Sequence, residues 1–469
     1  MFITTTLPYV NSSPHIGHAY EFILGDALAR FFRGIGQPVE FNIGLDEHGS
    51  KVAQKAASLG LAPQEHIALL RQEWLAFTSK FQIQPSNFYL TATPEHAEKV
   101  QQIWSRLELE GLIYPKKYKG KYCIGCEAYK TDKDIPGNKC PDHPTSNIIE
   151  TEETNYFFRL ANFKPALKAW LAANPAFLLP GEKLKELENQ LDESEDISIS
   201  RTKESCAWGI EVPGDTTQTI YVWFDALLNY IFAAGFPAAN FETRWQNVIQ
   251  LCGPDNLRFQ AVIFQGILEA LCLPHTSTLL VHGTILDAQG RKMSKTLGNT
   301  VDPIQELEAT NLDAVRYYAL AGLNTYSNSK WDRAELVRVY NTEVANDWGN
   351  TLARVLHLVN TKTGKTPPEP ESEYVSVLNK STEEVKAAWS QFQPREALRL
   401  TNKIIKAASC YIDSTKPWED KPESKQVIGN LYYLLQQVTT LYAPVLTDST
   451  EKVLKAIKAK EKAIIYPKL

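Results

Sequence analysis

The opening of the chain constrains its fold most. Phe2 to Thr6 is an apolar, β-branched run, a Pro/Asn/Ser/Gly segment follows, and a helical pattern runs from about Ile16 to Phe32. A strand that passes into a helix through a short polar loop aims backbone N–H groups and the positive helix end at whatever occupies the loop. A second short strand, Val39 to Ile43, leads into Gly44-Leu45-Asp46-Glu47-His48-Gly49, polar residues at a strand C-terminus, where open α/β sheets place their ligands. Val248 to Leu251 and Leu279 to Val281 repeat the short apolar strand, with a helical run Arg258 to Leu271 between them. The expected class is α/β, a Rossmann-like, doubly wound parallel domain. Ile220 to Leu228 reads as a further buried strand that runs into a helix.

A chain of 469 residues has room for several domains. From Tyr114 the texture changes to Lys, Gly, Cys and Pro, with no helical period until about Asn162, which reads as an insertion splitting the α/β domain. After about Trp331 strands give way to amphipathic helices: Leu431, Leu434, Leu435, Val438, Leu441 and Tyr442 form one apolar stripe, and Leu398, Ile405, Ala408 and Ile412 another. The expected division is residues 1–115 and 198–316 as the two halves of the α/β domain, 116–197 as the insertion, 317–336 as a linker and 337–469 as a helical bundle. No stretch of 18 apolar residues occurs and the N-terminus lacks a basic, then apolar leader, so a soluble cytoplasmic protein without membrane partners is expected. With 49 Lys+Arg against 54 Asp+Glu, a polyanion would have to be held by local basic patches. Lys452, Lys455, Lys458, Lys460 and Lys462 form one such run, either a solvated helix face or a phosphate contact.

Three groups of residues carry chemistry. Pro14-His15-Ile16-Gly17-His18 sets two imidazoles three apart at the start of the first helix, with Gly17 leaving room for a base or ribose; a buried pair or half a metal site is the alternative. Gly290-Arg291-Lys292-Met293-Ser294-Lys295-Thr296-Leu297-Gly298-Asn299 is a glycine-flanked loop whose ammonium groups suit charge growing on a departing pyrophosphate, unless it is only a solvated basic turn. Cys123-x-x-Cys126, thirteen residues, then Cys140-x-x-His143 offers four N/S ligands in two knuckles, a closed tetrahedral set that predicts one structural zinc per chain.

With these elements in order the sequence resembles class I aminoacyl-tRNA synthetases, whose signatures are His-Ile-Gly-His, intact at 15–18, and Lys-Met-Ser-Lys-Ser, here ending in Thr296. Within the class it is similar to the methionyl family. Leu7-Pro8-Tyr9-Val10-Asn11, Asp46-Glu47-His48-Gly49, Asn155-Tyr156-Phe157-Phe158-Arg159-Leu160, Ser198-Ile199-Ser200-Arg201, Trp208-Gly209-Ile210 and Tyr221-Val222-Trp223-Phe224-Asp225-Ala226-Leu227 match it in order, from about residue 3 to 465. The resemblance implies ATP-dependent activation of methionine, with Mg²⁺ accompanying ATP, followed by transfer to tRNA(Met). It implies ATP contacts from His15, Gly17, His18, Lys292, Ser294 and Lys295, with His15, His18, Lys292 and Lys295 catalytic. It surrounds the methionine side chain with Leu7, Tyr9, Trp223, Ala226 and Tyr230, gives the ammonium to Asp46 and the carboxyl side to Arg201. The zinc knuckle falls in the family's connective insertion, residues 317–336 correspond to its stem-contact linker, and the bundle becomes an anticodon-binding domain with Asn350, Arg354 and Trp418 as the reading positions. The chain stops after the bundle, without the appended domain through which some members dimerise, so a monomer is expected.

One wall departs from the family. Where the family has Ile, then Arg-Phe-His, then a Trp-Pro-Ala triplet, this chain reads Asn256, Arg258-Phe259-Gln260 and Phe264-Gln265-Gly266. An amide beside an apolar thioether needs hydrogen-bond partners of its own, or carries a desolvation cost on the order of 1–3 kcal/mol. Either Asn256 and Gln260 are satisfied by the protein, or the amino acid differs from methionine. Three readings follow: a methionine-specific synthetase, a paralogue with another amino acid or a role outside translation, and a tRNA-binding module without catalysis.

Overall fold

The computed structural model describes residues 1–123, 128–130, 135–141, 147–293, 298–461 and 464–469. Its contacts gather into two compact units: Met1–Ser13, Asn42–Trp74 and Asn87–Val281 form the first, and Pro14–Phe41, Leu75–Ser86 and His282–Leu469 the second.

The first unit is built on a six-stranded sheet of β1 (Phe2–Thr4), β2 (Glu40–Leu45), β3 (Asn87–Leu90), β4 (Leu178–Leu179), β5 (Val248–Cys252) and β6 (Thr278–Val281), in the order β3-β2-β1-β5-β6-β4. β1 pairs parallel with β5 (Phe2 opposite Val248), β5 with β6 (Cys252 opposite Val281), β6 with β4 and β2 with β3. Every residue of β5 is buried, as near-continuous apolar strands require when both sheet faces are covered. The strand order turns back at β1, which leaves the crevice of a doubly wound sheet beyond the C-terminal ends of β1 and β2.

The insertion begins as a long antiparallel pair, Ile113–Cys123 against Ile148–Phe158, in register from Ile113 opposite Phe158 to Cys123 opposite Ile148. The sequence expectation fails at Ile220 to Leu228. The strand is Asp215–Ile220, and a helix begins at Val222. A helix buried on nearly every side has no polar face, so its apolar run reads like that of a buried strand.

The second unit holds α1 (Ile16–Gly34); of the helices in the first unit, Val222–Ala233 is labelled α2. After α1 the second unit continues into a bundle of α3 (Asn350–Thr363), α4 (Ser372–Ser390), α5 (Pro394–Thr415), α6 (Ser424–Tyr442) and α7 (Thr450–Ala459). Both predicted stripes are the buried faces: Leu398, Ile405, Ala408 and Ile412 of α5, and Leu431, Leu434, Leu435, Val438, Leu441 and Tyr442 of α6. The Lys run is largely a solvated face, since Lys452 pairs with Asp448 at 2.8 Å and Lys455 with Glu451 at 3.8 Å; Lys462 lies outside the described residues. Phe31 of α1 stacks on Trp389 of α4 with ring centroids 5.6 Å apart.

A fully buried guanidinium ties these helices. Arg316 donates to Asp26 Oδ2 of α1 at 2.6 Å, to the carbonyl of Phe81 at 3.1 Å, and to the carbonyls of Pro444 and Val445 just beyond α6, each at 3.0 Å. Asp26 also takes Arg30 Nε at 2.7 Å and the Gln84 N–H at 2.9 Å. Removing one member of a buried ion pair strands the other, at about 3–5 kcal/mol. Asp26→Ala should therefore lower the unfolding free energy by about that amount in equilibrium denaturation, and Asp26→Leu combined with Arg316→Met should cost less than Asp26→Ala alone.

Candidate active site

In the first unit, the segment after β1 and the end of β2 are stitched together. Asp46 N–H donates to the Pro8 carbonyl and Val10 N–H to the Asp46 carbonyl, both at 2.9 Å, so Tyr9 and Asp46 stand side by side at the crevice. Leu7 and Asp46 are buried and Tyr9 half-buried. Gly49 is the position that requires glycine: its φ is +112°, and a Cβ there would strike the Tyr9 hydroxyl.

On α2, Trp223, Ala226 and Tyr230 recur at helical spacing on one face. Trp223 stacks on Phe259 with centroids 3.8 Å apart, and Tyr230 meets Phe264 edge-on at 5.4 Å. Arg201, on the short strand Ser200–Thr202, is buried; it donates to Ser198 Oγ at 2.9 Å and to the Ser200 carbonyl at 2.6 Å, and lies over the Tyr221 ring at 4.0 Å. The first unit thus brings together Leu7, Tyr9 and Asp46 at the strand ends, and Trp223, Ala226 and Tyr230 on one helix face.

At Gln260 the altered wall is resolved by partners. Gln260, on a π turn Phe259–Ile263, donates through Nε2 to the Tyr230 hydroxyl at 2.6 Å, and its Oε1 accepts from Gln250 Nε2 at 3.1 Å. Asn256 is half-buried at the end of a 3₁₀ turn, its N–H bonded to the Gly253 carbonyl at 3.0 Å.

Sequence reasoning missed how the polar block after β2 is anchored. His48 Nδ1 meets Asp225 Oδ2 at 3.1 Å, and burial raises the Asp225 carboxyl above the usual carboxylate range while the facing His48 opposes the shift. Glu47 is held by the Arg71 fork and by the Ala92 N–H at 2.9 Å, and its carbonyl accepts from Trp208 Nε1 at 2.7 Å. The only sequence signal was that Glu47, His48 and Asp225 sit inside blocks read for their neighbours.

The two histidines belong to the second unit, where they close the first turn of α1. His15 is the N-cap: its Nδ1 accepts from the Gly17 N–H at 3.1 Å, while its own N–H donates to His18 Nδ1 at 3.2 Å. The rings stack with centroids 3.6 Å apart, and a Cβ on Gly17 would lie only 3.0 Å from the His15 ring. This is a capping box made of imidazoles, and because each Nδ1 is an acceptor, each neutral ring carries its proton on Nε2. The half-metal-site alternative loses support, since both Nδ1 lone pairs already serve the backbone. Ile16 N–H donates to the Val301 carbonyl at 3.0 Å, so the helix start is tied to the chain just past the lysine loop.

That loop grows from a buried aspartate. Asp287 accepts from Gln289 N–H at 3.1 Å, Arg291 N–H at 2.8 Å, Arg291 Nε at 2.8 Å and Asn299 Nδ2 at 2.9 Å, and Asn299 also donates to the Lys292 carbonyl at 3.2 Å. Lys292 is exposed; Ser294 and Lys295 lie outside the described residues.

In the bundle, Asn350 and Arg354 are exposed one turn apart on α3, and Arg354 reaches Asp413 of α5 at 2.8 Å. Trp418 is 43% exposed, large for an indole, just past the left-handed Lys416 that ends α5. Lys362 of α3 pairs with Asp420 at 2.8 Å, which pins the Trp418 turn to the same helix.

Of the expected metal ligands, Cys123 and Cys140 are fully buried, in no disulfide, and share a small cluster with Ile135; Cys126 and His143 lie outside the described residues. Among the described residues no three candidate metal ligands converge, and no helix is long and apolar enough to cross a membrane.

Comparison with known proteins decides the family. Residues 1–148 and 143–356 match the family described as tRNA synthetases class I (M), and residues 371–468 match the anticodon-binding domain of tRNA ligases. The chain belongs to the class I tRNA synthetases of the methionyl type. The methionine–tRNA ligase of Ureaplasma parvum is 32% identical over 485 residues, covering 98% of this chain and 92% of its own. The chloroplastic/mitochondrial methionine–tRNA ligase of Arabidopsis thaliana is 35% identical over 429 residues, covering 89% and 69%. Methionyl-tRNA synthetase of Mycobacterium tuberculosis, solved in complex with methionyl-adenylate, has a TM-score of 0.90 at 31% identity, covering 97% of this chain and 92% of that one. The family's catalytic domain with its parallel sheet and its helical anticodon-binding domain are therefore both present.

The Asp287 clamp carries a pH prediction. Asn299 and Arg291 pull its carboxyl down to about 2 against burial, so its contribution is intact above the ordinary carboxylate range and is lost as pH falls through about 2. Asp287→Asn should speed amide exchange at Gln289 and Arg291 at neutral pH, whereas the wild-type carboxylate should protect both amides down to about pH 2.

Proposed function

We propose that the chain is a methionine–tRNA ligase: it activates methionine with ATP and passes the methionyl group to the 3′ end of tRNA(Met). The observation that carries the reading is the imidazole capping box. Two rings with Nδ1 committed to the backbone carry Nε2–H donors at a helix N-terminus, a pair of donors suited to phosphoryl oxygens.

In the first step the methionine carboxylate oxygen bonds to the α-phosphorus and the bond from that phosphorus to the bridging oxygen breaks, releasing pyrophosphate. His15 and His18 stabilise the phosphorus centre, Gly17 admits the nucleotide, and Lys292, Ser294 and Lys295 meet the pyrophosphate. Mg²⁺ enters with ATP as a charge-neutralising partner. Asp46, buried and anchored through its backbone to Pro8 and Val10, takes the ammonium, and Arg201 serves the carboxyl side. Leu7, Tyr9, Trp223, Ala226 and Tyr230 enclose the side chain, with Asn256 and Gln260 on the far wall. In the second step a terminal ribose hydroxyl of the tRNA attacks the acyl carbon and AMP leaves.

Methionine is favoured over another amino acid because the carbonyl and one N–H of Gln260 are already engaged by Gln250 and Tyr230, which removes Gln260 as an argument for a polar substrate. Similarity to a synthetase solved with methionyl-adenylate supports the same choice. Asn350, Arg354 and Trp418 read a CAU anticodon, by amide, guanidinium and indole. Cys123, Cys126, Cys140 and His143 hold one zinc. Cys123 and Cys140, buried and in no disulfide, fit that role, and the metal's contribution is to fold the insertion.

The test is ATP–pyrophosphate exchange across the proteinogenic amino acids, joined to charging of tRNA(Met). Methionine alone should drive exchange, and His18→Ala should slow it about 10²–10³-fold, the scale of one lost preorganised donor. Exchange driven by a different amino acid would overturn the reading. Arg354→Ala and Trp418→Ala should weaken charging and leave exchange nearly intact, and metal analysis should find one zinc per chain, lost from Cys123→Ser together with stability.

A further inference from the structure

Behind the α2 wall lies a buried pair that the chemistry above does not use. Asp225, in the first turn of α2, is fully buried, and its Oδ1 has no hydrogen-bond partner among the described residues. Its Oδ2 meets one side chain, His48 Nδ1 at 3.1 Å, across 177 positions of sequence. A buried carboxyl with one oxygen unsatisfied is a cost that packing alone gives no reason to carry. The contact itself is indifferent to where the proton sits: an ionised carboxylate accepts from Nδ1–H, and a protonated one donates to a bare Nδ1.

His48 is the fixed end of the pair. Glu47, before it, donates its N–H to Thr91 Oγ1 at 2.9 Å, binds the Arg71 fork and the Ala92 N–H through its carboxylate, and accepts from Trp208 Nε1 through its carbonyl. Gly49, after it, donates its N–H to the Trp208 carbonyl at 2.9 Å, and the Trp208 ring lies 5.7 Å from the imidazole. On α2 the neighbours of Asp225 pack by rings: Trp223 on Phe259 at 3.8 Å, and Phe224 edge-on to Trp104 at 5.9 Å. Rings tolerate small slides along their contact; a hydrogen bond sets distance and direction. At 100° per residue, Asp225 falls on the flank of α2 away from the face shared by Trp223, Ala226 and Tyr230, while His48 follows Asp46 by two residues.

We infer that His48 is a positioning residue for substrate specificity: through Asp225 it fixes the separation between the ammonium site at Asp46 and the side-chain wall on α2, and so sets the length of side chain that the site accepts. The inference rests on the methionine reading above. Neither His48 nor Asp225 touches the substrate in this assignment. A substrate held by its ammonium at Asp46 reaches α2 at a distance set by its own length, and one methylene more must push the helix back against the His48 contact. The class selected is an unbranched side chain no longer than that of methionine.

The experiment is ATP–pyrophosphate exchange with methionine and with ethionine, which is one methylene longer. A rigid apolar pocket distinguishes one methylene by about 10–200-fold. His48→Ala should lower the ratio of kcat/KM for methionine to that for ethionine about three- to tenfold, with the KM for methionine raised, kcat moved by less than about twofold and the KM for ATP unchanged. His48→Asn, which places an amide N–H where Nδ1 stood, should keep the wild-type ratio. Asp225→Ala should lower the ratio as His48→Ala does, and the double variant should lower it no further, because both remove one contact. A purely structural pair would lower the melting temperature and the active fraction and leave the ratio alone. Should His48→Ala fail to fold, Asp225→Ala carries the test, since it removes the unsatisfied oxygen together with the contact. A wild-type ratio in folded His48→Ala or Asp225→Ala protein, a loss in His48→Asn as large as in His48→Ala, or independent losses in the double variant would overturn the assignment alone. Absence of methionine-dependent exchange in the wild type would overturn both it and the reading beneath it.

Discussion

The second unit depends on one side chain that should be expensive to bury. Arg316 has no access to water, and its charge is tolerable only because a carboxylate and three carbonyls surround it. Those acceptors come from separate places in the sequence: Asp26 from α1, Phe81 from the end of the helix that closes at Lys80, and Pro444 and Val445 from beyond α6. An oily core would hold these segments near one another in many arrangements. A guanidinium whose donors leave in fixed directions accepts few of them. The helix that carries His15 and His18 thus takes its place from the bundle, and the tie of Ile16 to Val301 extends the same frame toward the lysine loop.

Periodicity made the frame legible. The β1, α1 and β2 succession, the β5 and β6 runs and the stripes of α5 and α6 were readable because their apolar residues recur at the spacing of the element that buries them. Where burial is complete that signal vanishes, and the run beginning at Val222, expected as strand, is helix. The grouping of α1 with the bundle was not legible at all. Part of it is carried by Asp26, one acid among many in the sequence, whose partner lies 290 positions away.

The site divides in the same manner. His15, Gly17, His18, Asp46 and Lys292 stood out because loops at strand ends and glycine hinges advertise themselves by residue type and spacing. The departures at 256 and 260 were equally visible, and their sense was not. A glutamine in place of the family's histidine reads as a polar intrusion until Gln250, Thr276 and Gln265 are seen around it. Gln250 and Gln265 lie in stretches whose apolar neighbours define a strand and a helix, Thr276 lies in the connection before β6, and sequence offers no sign that their side chains meet.

The imidazole cap of α1 has a consequence for substitution. Serine, threonine, asparagine and aspartate all close a helix as well as histidine does, because each places an acceptor near the first free N–H groups. None has a second, rigidly opposed nitrogen. In histidine the acceptor and the donor sit on opposite edges of one flat ring, so satisfying the helix with the inner nitrogen aims the outer one away from it. Helix initiation and tautomer choice are then one event. The proton is on the outward nitrogen of each ring as soon as the first turn of α1 forms, before any substrate arrives.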